Sequence, residues 1–156
     1  MTGGSRSALE PRVATLRGAG DVDAELTLRL PSDIVVIEEA VALVSAHLGA
    51  RFRNLHEVRF NLRVALCEAL ANAMLYGNGG DPAKVVDLRA RYGPTTLEVE
   101  ITDEGTGFDP DAVPDPTLPE NLAKSDGRGV FLIRRLMDEV RFNAKGNSIC
   151  MILRRG

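Results

Sequence analysis

The residues best suited to chemistry lie in Leu66-Cys67-Glu68-Ala69-Leu70-Ala71-Asn72-Ala73-Met74-Leu75-Tyr76-Gly77-Asn78, a helical run with a carboxylate and a carboxamide one turn apart. Asp103-Glu104-Gly105-Thr106-Gly107 and then Gly127-Arg128-Gly129 follow downstream. Each piece suggests one part of a nucleotide-Mg2+ site. Glu68 can accept a proton, and the Asn72 side-chain oxygen can ligate Mg2+, a hard cation that takes oxygen ligands. Asp103, at the end of a predicted strand, can accept a hydrogen bond from an exocyclic amine such as that of adenine. Gly105 and Gly107 let the backbone approach whatever Asp103 holds. Gly127 and Gly129 flank a predicted helix start, where free backbone N–H groups form an anion site open to phosphate, and Arg128 is a candidate phosphate contact. Taken singly, each has a plainer explanation: a solvated helix face, an acidic turn, a glycine-rich helix start. Their order along the chain joins them. The Walker lysine-serine pair of a P-loop and the ligand pattern of an EF-hand are both absent.

The elements that must position these groups can be read from periodicity. Glu25-Leu26-Thr27-Leu28-Arg29-Leu30 alternates as a half-buried strand. Pro31-Ser32-Asp33 opens a helix from about Ile34 to His47, with Ser32 or Asp33 as its cap. A longer helix is predicted from near Asn54 to Tyr76-Gly77, where glycine suits a left-handed termination. Its buried stripe is Leu55, Val58, Leu62, Ala65, Leu66, Ala69, Leu70 and Ala73, with Glu68 and Asn72 at the border. The small residues Ala69, Ala71 and Ala73 are expected to leave room for a bulky ligand. Lys84 to Tyr92 and Thr96 to Thr102 read as strands joined at Gly93-Pro94. Pro110 to Asp126 is polar and proline-rich, and a stretch of that length inside a compact domain suggests a working lid. A third helix, Gly129 to Met137, precedes two closing strands, Glu139 to Asn143 and Ser148 to Leu153. The fold expected is an α/β two-layer sandwich with a mixed or antiparallel sheet and helices on one face.

The chain has 156 residues, enough for one domain with a two-layer core. Residues 1–23, rich in Gly, Ser, Ala and Arg, read as a flexible leader in which Val13-Ala14-Thr15-Leu16 can form a short ordered piece, and 24–156 as the domain proper. A net charge of -3 without a basic stripe speaks against direct nucleic-acid binding. No apolar run is long enough to span a bilayer, and two cysteines, Cys67 and Cys150, make no disulfide framework. A cytoplasmic protein with no membrane partner and two reduced, core-packed thiols is expected.

Together the three motifs resemble the GHKL ATP-binding superfamily, which has the Bergerat fold. Glu68 to Ala73 looks like its asparagine box, Asp103 to Gly107 is similar to its first glycine box, and Gly127-Arg128-Gly129-Val130 to its second. The short chain and compact lid look most like the bacterial anti-sigma-factor serine/threonine kinases, as do Gly129 to Val140 and the ending Gly146 to Leu153. The resemblance implies roles for these residues. Glu68 is the general base that positions a partner's serine or threonine hydroxyl. Asn72 ligates the Mg2+ that bridges the ATP phosphates. Asp103 holds the adenine amine, Gly107 lets the ring approach, Gly127 and Gly129 bind phosphate, and Ser148 joins the adenine's water network. The implied cofactors are ATP and Mg2+. The implied partners are a sigma factor and an anti-sigma-factor antagonist, with a homodimer as a further expectation.

There are departures. Tyr76 stands where many relatives have histidine, Ser148 replaces threonine, and Asp126 puts a carboxylate beside the phosphates where several relatives have a small residue. The predicted first helix carries Glu38 and Glu39 but no Lys or Arg. Two other functions compete: a non-catalytic ATP/ADP-sensing binding module, against which Glu68 speaks, and the detached catalytic domain of a histidine kinase. Leu55-His56-Glu57 is superficially similar to a phospho-acceptor box, but lacks the proline that follows and shares a helix with the asparagine box.

Overall fold

Period-two alternation decides which face of the sheet is covered. The computed structural model describes residues 12–14, 24–48, 56–107 and 128–154. Among them the strands are β1 (Arg12–Ala14), β2 (Ala24–Pro31), β3 (Val85–Tyr92), β4 (Thr96–Thr102), β5 (Glu139–Phe142) and β6 (Ser148–Arg154). They form one sheet of order β1-β2-β3-β4-β6-β5, and every pairing is antiparallel. Register aligns apolar residues in rows: Leu26, Ala90, Val99, Met151 and Val140 form one, and Leu28, Leu88, Ile101, Ile149 and Phe142 the next. These rows line the core. The intervening residues face away from it, and Glu25 pairs there with Arg91 at 3.2 Å and Arg89 at 3.7 Å. Exposed pairs of this kind contribute at most about 1 kcal/mol each.

The helices supply the second layer. Asp33 accepts from the Val35 N–H at 3.0 Å and caps a 3-10 turn, Ile34–Val36, which leads into α1 (Ile37–Ala46). Ser32, the other candidate cap, instead donates to the Lys84 carbonyl at 2.7 Å. α2 (His56–Ala71) buries Leu62, Ala65, Leu66, Ala69 and Leu70, as its stripe requires. α3 (Arg128–Leu136) buries Val130 and Ile133. Tyr92, whose sequence position implied no role, ties the layers together: its buried hydroxyl donates to the Val44 carbonyl of α1 at 2.7 Å. Burial pushes its phenol up.

The layered α/β architecture agrees with expectation, and several details differ. β1 pairs with β2 through Arg12–Ala14, so the sheet takes in part of the segment read as a leader. Ala69 and Ala73 are buried in the core and Ala71 packs against it. α2 passes into a π-helical turn, Asn72–Gly77, and Gly77 is not left-handed. Past the end of that turn, positive φ angles fall at Gly79 (62°) and Gly80 (71°) instead. Cys150 lies on the outer face of the sheet, where its thiol donates to Glu98 Oε1 at 3.1 Å and burial pushes its pKa up to about 12. Cys67 packs against the core as expected. The expected lid, the Asn54 cap and Gly127 lie outside the described residues.

Candidate functional site

Glu68 on α2 and Asn72 at the start of the π-helical turn share one edge because the apolar stripe turns Leu66, Ala69, Leu70 and Ala73 inward. Both are half-buried, and α3 starts directly against them. A Cβ placed on Gly129 would lie 2.8 Å from Asn72 Nδ2 and 2.9 Å from Glu68 Oε2. A side chain there would push the ends of both functional side chains aside, so glycine lets Glu68 and Asn72 lie directly against the start of α3. The first turn of α3, whose backbone N–H groups have no partner within the helix, thus lies beside the carboxylate and the amide. Gly129, Glu68 and Asn72 are brought together as the sequence order suggested. Arg128 begins α3, but the position of its side chain is not among those described.

Asp103 follows the last residue of β4 and is gripped from two sides. Its N–H donates to the Asn147 carbonyl at 2.9 Å, and Asn147 Nδ2 donates to its carbonyl at 2.8 Å. Its carboxylate accepts the Gly105 N–H at 2.7 Å. Gly77 packs against that carboxylate so closely that a Cβ on it would collide with both oxygens. This explains Gly77, which the sequence suggested only as a helix stop. A Cβ on Gly105 would collide with the Gly77 carbonyl. Gly107, at φ +86°, sits against the Lys145 carbonyl. The two glycines of this box are therefore demanded first by packing within the protein. Ser148 reaches the same strand end, where its hydroxyl shares a 2.8 Å hydrogen bond with Thr102 Oγ1.

Burial raises the Asp103 carboxyl above its ordinary value of 3.8, with the Gly105 N–H and the charges of Lys145 and Lys84 pulling the other way. A carboxylate raised in the folded state costs stability above its folded midpoint, and that cost fades as the pH falls through this midpoint toward 3.8. The Asp103→Asn variant keeps the oxygen that accepts from Gly105 and removes the charge. It is expected to melt higher than the wild type at pH 7, with the difference shrinking as pH is lowered toward 3.8. A lower melting temperature at pH 7 would contradict this assignment.

Sequence reasoning missed Asn78 and Asn147. A buried asparagine that bonds backbone leaves no periodic signature, although the position of Asn78 directly after Gly77 was visible. Asn147 precedes Ser148 in the β5–β6 turn, which Asn143 shapes by accepting from the N–H groups of Gly146, Asn147 and Ser148.

Among the described residues no helix is long and apolar enough to cross a membrane. No group of three or more His, Cys, Asp or Glu among them could hold a metal ion.

The chain is similar in sequence to known proteins. The chain is 28% identical over 128 residues to the serine-protein kinase RsbW of Bacillus subtilis (strain 168), covering 78% of each chain. It is 29% identical over 125 residues to the protein of the same name from Halalkalibacterium halodurans, covering 74% of this chain and 72% of the relative. The one from Listeria innocua is 25% identical over 134 residues, covering 81% and 85%. A family model described as the histidine kinase-like ATPase domain matches residues 30–153, a span that holds Glu68, Asn72, Asp103 and Gly129, and the chain belongs to that family.

Proposed function

We propose that this protein is an ATP-dependent serine/threonine protein kinase of a partner-switching system. It would sequester a sigma factor and phosphorylate an anti-sigma-factor antagonist in the cytoplasm. The observation that carries the reading is the closeness of Gly129 to Glu68 and Asn72: a helix N-terminus, a carboxylate and a carboxamide meet at one point. The relatives' names, serine-protein kinase, support the same chemistry.

The residues fit a nucleotide. Gly129 brings the first turn of α3 against Glu68 and Asn72, where its N–H groups could take phosphate, and Gly77 and Gly105 pack against the Asp103 carboxylate at a strand end where it can accept an adenine amine. With no acidic cluster among the described residues to hold a metal alone, Mg2+ would be shared between the Asn72 oxygen and phosphate oxygens, a common arrangement for this ion. Mg·ATP supplies the phosphoryl group and the cation that neutralises its charge. Glu68 would orient the partner's hydroxyl and take its proton as that oxygen bonds to the γ-phosphorus, while the bond from that phosphorus to the β–γ bridging oxygen breaks and ADP leaves. Asn72, through the cation, and the α3 N-terminus would hold the phosphates, and Asp103 would hold the base. Catalysis is largely positioning and electrostatics. Gly127, Arg128 and Ser148 complete the proposed nucleotide contacts.

The test is transfer of label from γ-labelled ATP to a serine or threonine of a purified antagonist protein. Mg2+-dependent phosphoprotein is expected. ATP binding with no transfer would favour the sensing module over the kinase.

A further inference from the structure

Asn78 and Ser32 are the buried polar side chains among the described residues, the proposed chemistry uses neither, and Asn78 is the more deeply buried at 2% exposure. Its amide is fully engaged. Nδ2 donates to Ser32 Oγ at 2.9 Å and to the Val85 carbonyl at 3.0 Å, while Oδ1 accepts from the Glu104 N–H at 2.8 Å. Ser32 is in turn fixed by the Lys84 carbonyl, and Glu104 returns a carboxylate oxygen to the Val85 N–H at 2.6 Å. The backbone N–H of Asn78 closes the π-turn on the Ala73 carbonyl at 2.8 Å. One residue thus binds the end of the helix that carries Asn72, the edge of β3 and the turn that carries Asp103. It is flanked by the two groups that matter for Asp103: Gly77, packed on the Asp103 carboxylate, precedes it, and Glu104, next to Asp103, is its hydrogen-bond donor.

We propose that Asn78 is a positioning residue for base recognition, holding the Asp103 carboxylate at the point where it reads the exocyclic amine of adenine. This rests on the reading of Asp103 given above. A buried amide with three good partners costs much to disturb. The distinctive consequence concerns specificity. With Asn78 lost, the Asp103–Glu104 turn is freed on one side while Asn147 still grips it on the other. The carboxylate then loses its aim at the amine, while the phosphate end at Gly129 is untouched.

The experiment compares the affinity of Mg·ATP with that of Mg·purine riboside triphosphate, which lacks the 6-amino group. One hydrogen bond to a charged group should make wild type prefer ATP by about tenfold or more. Asn78→Ala, checked for a cooperative melt, should bring that preference close to unity. Its affinity for purine riboside triphosphate should stay within about threefold of wild type. Should Asn78→Ala fail to melt cooperatively, Ser32→Ala releases one anchor of the amide, and a preference lowered at least threefold is expected. An unchanged preference in either folded variant overturns the proposal, as does equal loss of both nucleotides, which marks a merely structural role. A wild type that binds both nucleotides equally contradicts the reading of Asp103 itself.

Discussion

Glu68→Gln is expected to leave nucleotide binding nearly intact and to lower phosphotransfer by roughly 10²–10⁴-fold, the usual contribution of a positioned general base. Glutamine keeps the size of the side chain and an oxygen near Gly129, so the packing at that glycine is preserved. What it removes is the capacity to take the hydroxyl proton. Binding by calorimetry and initial rates of labelled phosphoprotein measure the two effects separately. An unchanged rate would mean that another group serves as base. Loss of binding would mean that Glu68 acts as a structural support for the start of α3.

Asn72→Ala should have the complementary effect. It removes the oxygen proposed to hold Mg2+ and one of the two side chains against Gly129. A cation neutralising phosphoryl charge is worth several kcal/mol, so Mg·ATP affinity and turnover together should fall by roughly 10²-fold or more. Binding of ATP without Mg2+ should change much less, and titrations with and without the cation distinguish these outcomes. An equal loss under both conditions would place Asn72 on the nucleotide rather than on the metal.

Most of the secondary structure was legible because the strands alternate cleanly and α2 carries an apolar stripe. β3 and β4 fall where Lys84–Tyr92 and Thr96–Thr102 were expected, and the buried set of α2 is nearly the one its spacing implied. β1 pairs through only Arg12–Ala14, too few residues to show a period. The site was legible as a set of residue types in order, since Glu68, Asn72, Asp103 and the glycines are chemically unusual in such spacing. What could not be read was why each glycine is a glycine. Gly77 is set by the Asp103 carboxylate, a partner distant in sequence, and Gly107 by the Lys145 carbonyl across the sheet. Asn78 and Asn147 were missed for a similar reason: each bonds backbone far along the chain, as the Asn78–Glu104 and Asn147–Asp103 contacts show.

The most direct measurement is calorimetric titration of Mg·ATP into wild type and Asp103→Asn at pH 7. A melting curve of each protein under the same conditions shows whether a loss of binding comes from unfolding. Wild-type binding in the micromolar range, weakened by about tenfold or more in Asp103→Asn, is the expected result. Absence of binding by the wild type, or equal affinity in the two proteins, would contradict a nucleotide site built on Asp103.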